Sequence, residues 1–111
     1  MSKTLITGSL MIVVMLGAKH KDGINEEEYR KLSSRMRELI KTIPGFISHD
    51  RVTTDKGESF GMIKFESEES LNAWMNNPEH QAVKKRGREE FYSSAFVYVY
   101  KAIREDNYTY V

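Results

Sequence analysis

The residues best suited to chemistry converge on one short stretch. His80 stands one turn into a helix that opens at Asn77-Pro78, and Trp74, the only tryptophan, precedes it by six residues. An imidazole titrates near pH 6.5 when unperturbed, which suits proton transfer at neutral pH. On type and position alone, the commoner role is a helix N-terminal imidazole hydrogen-bonded for packing, with a proton acceptor as the alternative. The indole likewise fills core or walls a pocket for a flat ligand. Gly87 lies on the His80 face of the same helix, with Val83, Lys84 and Phe91. A glycine there costs about 1 kcal/mol relative to alanine, so something must approach the helix closely. Trp74, His80, Gly87 and Phe91 would then border a cleft between helix and sheet.

Other chemistries find no footing. The chain has no cysteine, which excludes disulfides, thiolate metal sites and a cysteine nucleophile. No two of His20, His49 and His80 lie three or four residues apart, so the spacing predicts no local metal motif. His20, near a turn, and His49, on a mixed polar strand, read as surface residues. The run Lys84-Lys85-Arg86-Gly87-Arg88 is followed at once by Glu89-Glu90, and the formal net charge is only +1. That balance describes a solvated helix face and predicts neither nucleic-acid nor membrane partners. The seven glycines form no phosphate loop, dinucleotide fingerprint or hydrolase elbow.

The elements that must position these residues follow from periodicity. The apolar run Leu10 to Ala18 is too short for a bilayer-spanning helix, which needs roughly 20 residues, and Leu16 sits badly for a signal cleavage after Ala18. Its β-branched content predicts a buried first strand and a cytoplasmic protein. Asn25-Glu26-Glu27-Glu28 forms a capping box. The helix it opens runs to about Ile43, with Tyr29, Leu32, Met36, Leu39, Ile40 and Ile43 in one apolar stripe. Pro44-Gly45 ends it. Strands over Phe46 to Thr53 and Ser59 to Glu66 form a hairpin. Ser67 opens a second helical region with Leu71, Trp74 and Met75 inward, which breaks at Asn77-Pro78 and continues to about Tyr92. A last strand, Ala95 to Ile103, precedes a polar tail over 104–111.

The order β-α-β-β-α-β predicts one α+β domain over 1–111, with its core at about 10–103. The arrangement is ferredoxin-like, a four-stranded antiparallel sheet with two helices on one face. A half-covered sheet should alternate apolar and polar residues, yet the first and last strands do not. Met11, Val13 and Met15 oppose Ile12, Val14 and Leu16, and Val97 and Val99 oppose Phe96, Tyr98 and Tyr100. A second copy packed sheet to sheet would cover both faces, giving a two-fold homodimer; the alternative is a monomer with an aromatic ligand face.

Pro44-Gly45-Phe46-Ile47, Ser67-Glu68-Glu69-Ser70 leading to Trp74, Asn77-Pro78-Glu79-His80, Gly87-Arg88 and the closing strand around Phe96-Val97-Tyr98-Val99 resemble the antibiotic biosynthesis monooxygenase family. The resemblance spans about Leu10 to Ile103. It implies a dimeric α/β barrel and oxidation of a small aromatic of the quinol or anthrone kind with O2, often with neither metal nor flavin. It also implies His80 as the base beside Trp74, in a pocket shaped by Tyr29, Met36, Phe65 and Phe91. A haem-degrading branch of the family carries its axial histidine ten residues after the tryptophan and an asparagine on the first strand. Here position 84 is lysine and Met11 to His20 contains no asparagine, so haem is the alternative cofactor. A non-catalytic dimer that binds a small ligand, and breakdown of a small signalling molecule, are the other readings.

Overall fold

The computed structural model describes residues 11–110. Strand β1 spans Ile12–His20, helix α1 Glu26–Ile40, β2 Phe46–Thr53, β3 Glu58–Phe65, α2 Glu68–Met75, α3 Pro78–Arg86 and β4 Tyr92–Lys101, with a π-helical turn over Gly87–Phe91 between the last two. The expected start of the first strand at Leu10, and Val111 at the end of the tail, lie outside the described residues. The strands form one antiparallel sheet in the order β2-β3-β1-β4. This is the ferredoxin-like α+β fold. Among the described residues no helix is long and apolar enough to cross a membrane.

Register explains where the core sits. Ile12 pairs with Phe65 and Lys101, Val14 with Ile63 and Val99, and Leu16 with Gly61 and Val97. Side chains alternate across a strand, so these residues share the face turned to the helices. Ile12, Val14, Ile63 and Phe65 pack there with Leu39, Ile40, Leu71 and Trp74. Phe65 is 0% exposed, and such burial contributes roughly 1.5–3 kcal/mol for each large apolar side chain.

The helix ends are set as their residues dictate. The Asn25 side chain accepts from the Glu28 backbone N–H, Ser67 from that of Ser70, and Asn77 from that of His80. Each satisfies one of the free N–H groups of a first turn. Glu28 does not reach back to its cap as a capping box would have it; its carboxylate accepts from Arg86 instead. Helix α1 stops at Ile40, three residues short of expectation, because tight turns at Thr42 and Ile43 lead into Gly45 at φ +87°. A Cβ there would collide with Ser70 Oγ.

The last helix also ends early. Its final turn widens to π geometry from Gly87, and β4 begins at Tyr92, where the sequence predicts helix. The close approach expected at Gly87 is that of the Tyr92 ring, whose Cε2 would lie 2.7 Å from a Cβ on residue 87. On the sheet's open face, Phe96 lies over Gly17 and stacks on Tyr98 with ring centroids 4.8 Å apart. On the other face of the same strand, Val97 and Val99 are 55% and 52% exposed. The helical layer thus leaves the middle of β4 uncovered.

Candidate functional site

Trp74 and His80 are brought together by the break between α2 and α3. Asn76 ends the first helix, Asn77 caps the second, and Pro78 occupies its first turn. The chain therefore doubles back enough to lay the His80 imidazole on the Trp74 indole, with centroids 3.9 Å apart and planes 17° from parallel. His80 Nδ1 lies 3.0 Å from the Trp74 carbonyl oxygen. A carbonyl only accepts, so Nδ1 carries the proton and the neutral ring offers its Nε2 lone pair. Burial lowers the His80 pKa to about 4; the Trp74 carbonyl opposes the shift and the Lys84 charge adds to it. At neutral pH the ring is therefore an uncharged acceptor.

A second cluster occupies the far end of β1. Tyr29, buried in the first turn of α1, meets His20 at 4.4 Å, Phe91 at 5.5 Å and Tyr92 at 6.1 Å between ring centroids. The Tyr92 phenol is pushed up, first by burial and then by the Tyr29 hydroxyl. Among the described residues the buried His20 Nε2 has no hydrogen-bond partner, an uncommon condition for a polar atom. The cluster is braced by Arg86, which lies 5.5 Å from the Phe91 ring centroid and donates to Glu28 at 2.8 Å and Glu90 at 2.7 Å.

The residues expected around the ligand thus fall into two neighbouring groups. Trp74 and Phe65 belong to the main core, with Met36 half-buried against it, and His80 joins them through the indole. Tyr29 and Phe91 belong to the His20 and Tyr92 cluster. The sequence predicts His20 at the surface, whereas the structure half-buries it. Strand β1 continues through it, and its even position turns it to the helices with Ile12 and Val14. That alternation is available in the sequence; the length of the strand is not. His49 is half-buried too, with Nε2 3.5 Å from where a Cβ on Gly61 would lie. Among the described residues no three His, Asp or Glu side chains converge as metal ligands would. A depression of about 360 Å³ on the sheet, lined in part by Gly17, Phe60 and Phe96, includes neither Trp74 nor His80.

Comparison with known proteins adds the family. The chain is 32% identical over 81 residues to the uncharacterized protein YqjZ of Bacillus subtilis, a stretch covering 73% of this chain and 71% of that one. Rv0793 from Mycobacterium tuberculosis superposes with a TM-score of 0.75 at 17% identity, over 87% of this chain and 99% of its own. SnoaB from Streptomyces nogalater, described as a cofactor-independent oxygenase, does so with a TM-score of 0.71 at 9% identity, over 87% and 97% of the two chains. At such identities the structural likeness establishes the fold. The sequence profile described as antibiotic biosynthesis monooxygenase matches residues 11–86, and with that match the chain belongs to the antibiotic biosynthesis monooxygenase family.

Proposed function

We propose that the protein is a cofactor-independent monooxygenase acting on a small, electron-rich aromatic of the quinol or anthrone kind. The observation that carries this reading is the Trp74–His80 pair. A neutral imidazole, its Nδ1–H tied to a backbone carbonyl, stacks on an indole and keeps Nε2 as the acceptor. Membership of the family and the fold shared with SnoaB support it.

The chemistry asks little of the protein beyond positioning and proton transfer. For an anthrone, one ring methylene and one O2 become one ketone carbonyl and one water. All four electrons come from the substrate carbon, which loses both of its hydrogens; one oxygen atom ends in the new carbonyl and the other leaves as water. His80 Nε2 accepts the first proton, which makes the ring system electron-rich enough to reduce O2, and returns a proton to the departing oxygen. Burial disfavours the imidazolium in the free protein, but the substrate anion forming beside it supplies the countercharge. Trp74 backs the His80 ring, with Phe65 fully buried in the core behind it, and Tyr29, Met36 and Phe91 are apolar surroundings that keep water out.

Haem fits the residues poorly. Lys84 occupies the position of the axial histidine in the haem-degrading branch. Strand β1 carries no asparagine, the other residue of that branch.

We also propose that the working unit is a homodimer. The exposure of Val97 and Val99 on one face of β4, and of Tyr98 and Tyr100 on the other, leaves an apolar edge larger than a solitary subunit would keep in water. Oxygen uptake with a panel of anthrones and dihydroxyaromatics tests the oxygenase reading. The wild type should consume O2 above the uncatalysed rate, and His80→Gln should lose about 10²–10⁴ of it, the range of a general base. Uptake equal in the two proteins refutes the role of His80, and no uptake with any substrate leaves the ligand-binding dimer as the function.

A further inference from the structure

Between α1 and the outer strand β2, two arginine side chains converge on one serine hydroxyl. Arg51 Nη1 donates to Ser33 Oγ at 2.7 Å, and Arg37 Nη1 donates to the same oxygen at 3.2 Å. Arg35, Arg86 and Arg104 each hold a carboxylate; among the described residues Arg37 and Arg51 hold none. His49 stands beside them. Its pKa is lowered by burial first and then by the Arg51 and Arg37 charges, with Asp50 opposing. Asp50, paired with Met62, belongs to the opposite face of the sheet.

The place is connected to both parts of the candidate site. Ser33, Met36 and Arg37 share one face of α1 by their spacing, and Met36 packs against the core that contains Trp74. The Arg51 charge also acts on the Tyr92 phenol, in the cluster with Tyr29 and His20. Gly61, opposite Arg51 on β3, leaves room there for no more than a methyl, which would touch Leu16 Cγ at 3.4 Å and His49 Nε2 at 3.5 Å. Each guanidinium spends one Nη1 donor on the hydroxyl and has further N–H donors, Nε and Nη2, of the kind that carboxylate oxygens take.

We propose that Arg37, Arg51 and Ser33 seat the acidic group of an aromatic acid, whose ring extends along Met36 toward Trp74. The identity of the ring rests on the oxygenase reading; the seat itself is tested without turnover. The substrates are then quinols or anthrones that carry a carboxylate, and the charge is held at the α1–β2 edge while the ring is presented to His80.

Calorimetric titration with 2-naphthoate and with its methyl ester separates the charge from the ring, and neither compound needs to react with O2. The acid should bind the wild type at least tenfold more tightly than the ester. Arg37→Gln/Arg51→Gln, both at exposed positions, should abolish that preference while leaving ester binding and the circular dichroism spectrum unchanged. Lys84→Gln/Lys85→Gln, on the other basic surface, should preserve it. Equal affinities, no binding of either compound, or a preference that survives in the double arginine variant would overturn the seat. So would its loss in the lysine variant, since that moves the anion to α3. A retained preference without O2 uptake on any substrate overturns the oxygenase reading alone; O2 uptake without the preference overturns the seat alone.

Discussion

Replacing His80 by glutamine should flatten the acid limb of the protein's stability. Its imidazole titrates at about 4 in the folded protein against an ordinary 6.5. A folded pKa below the unfolded one means that the unfolded chain binds the proton more readily, so this stability is complete above pH 6.5 and is lost as pH falls toward 4. Between pH 7.5 and pH 5 the linkage relation gives a loss of about 2 kcal/mol from this one group. Glutamine can still donate to the Trp74 carbonyl but does not titrate. His49, lowered in the same direction, is present in both proteins and cancels in the difference. Urea unfolding at the two pH values, at one fixed protein concentration because association adds to stability, should show the wild type losing about 2 kcal/mol more than His80→Gln. Equal losses, or a His80 resonance titrating near 6.5 in the folded wild type, would show that the ring is solvated and the stacked, carbonyl-tied geometry wrong.

Other perturbations separate the remaining parts. Gly45→Ala forces a side chain into positive φ and against Ser70 Oγ; thermal melts should show a loss of about 1–3 kcal/mol. Gly87→Ala raises helix propensity yet crowds the Tyr92 ring, so it should destabilise by about 1–3 kcal/mol rather than stabilise; a gain would mean that the ring moves away freely. Val97→Asp places a charge on the apolar edge of β4 and should shift sedimentation from dimer to monomer at micromolar concentration, with a wild type that sediments as a monomer contradicting the dimer.

Much of this architecture is legible in the chain because its punctuation is chemical. Asn25, Ser67 and Asn77 are caps by residue type, Pro78 can only stand in a first turn, and Gly45 supplies the positive φ that ends the α1 connection. Those residues fix the break between α2 and α3, and the break is what stacks His80 on Trp74. The π-helical turn is a different matter. Nothing in Gly87-Arg88-Glu89-Glu90-Phe91 departs from helical periodicity; the widened turn is closed by the Tyr92 backbone N–H, which donates to the Gly87 carbonyl as β4 begins. His20 shows the same limit from the strand side. Its parity places it toward the helices only if the strand extends to it, and that extension comes from pairing with β4 across an irregularity at Lys19 and His20. The Arg37–Ser33–Arg51 group joins a helix to an edge strand, with no local spacing to reveal it.

The most direct measurement is oxygen stoichiometry with 18O2 on an anthrone, wild type beside His80→Gln. One O2 consumed per ketone formed, 18O in the new carbonyl, and a rate at least about a hundredfold lower in the variant are expected of a substrate-driven oxygenase with His80 as its base. Uptake no faster than the uncatalysed reaction, or an equal rate in the variant, would contradict it.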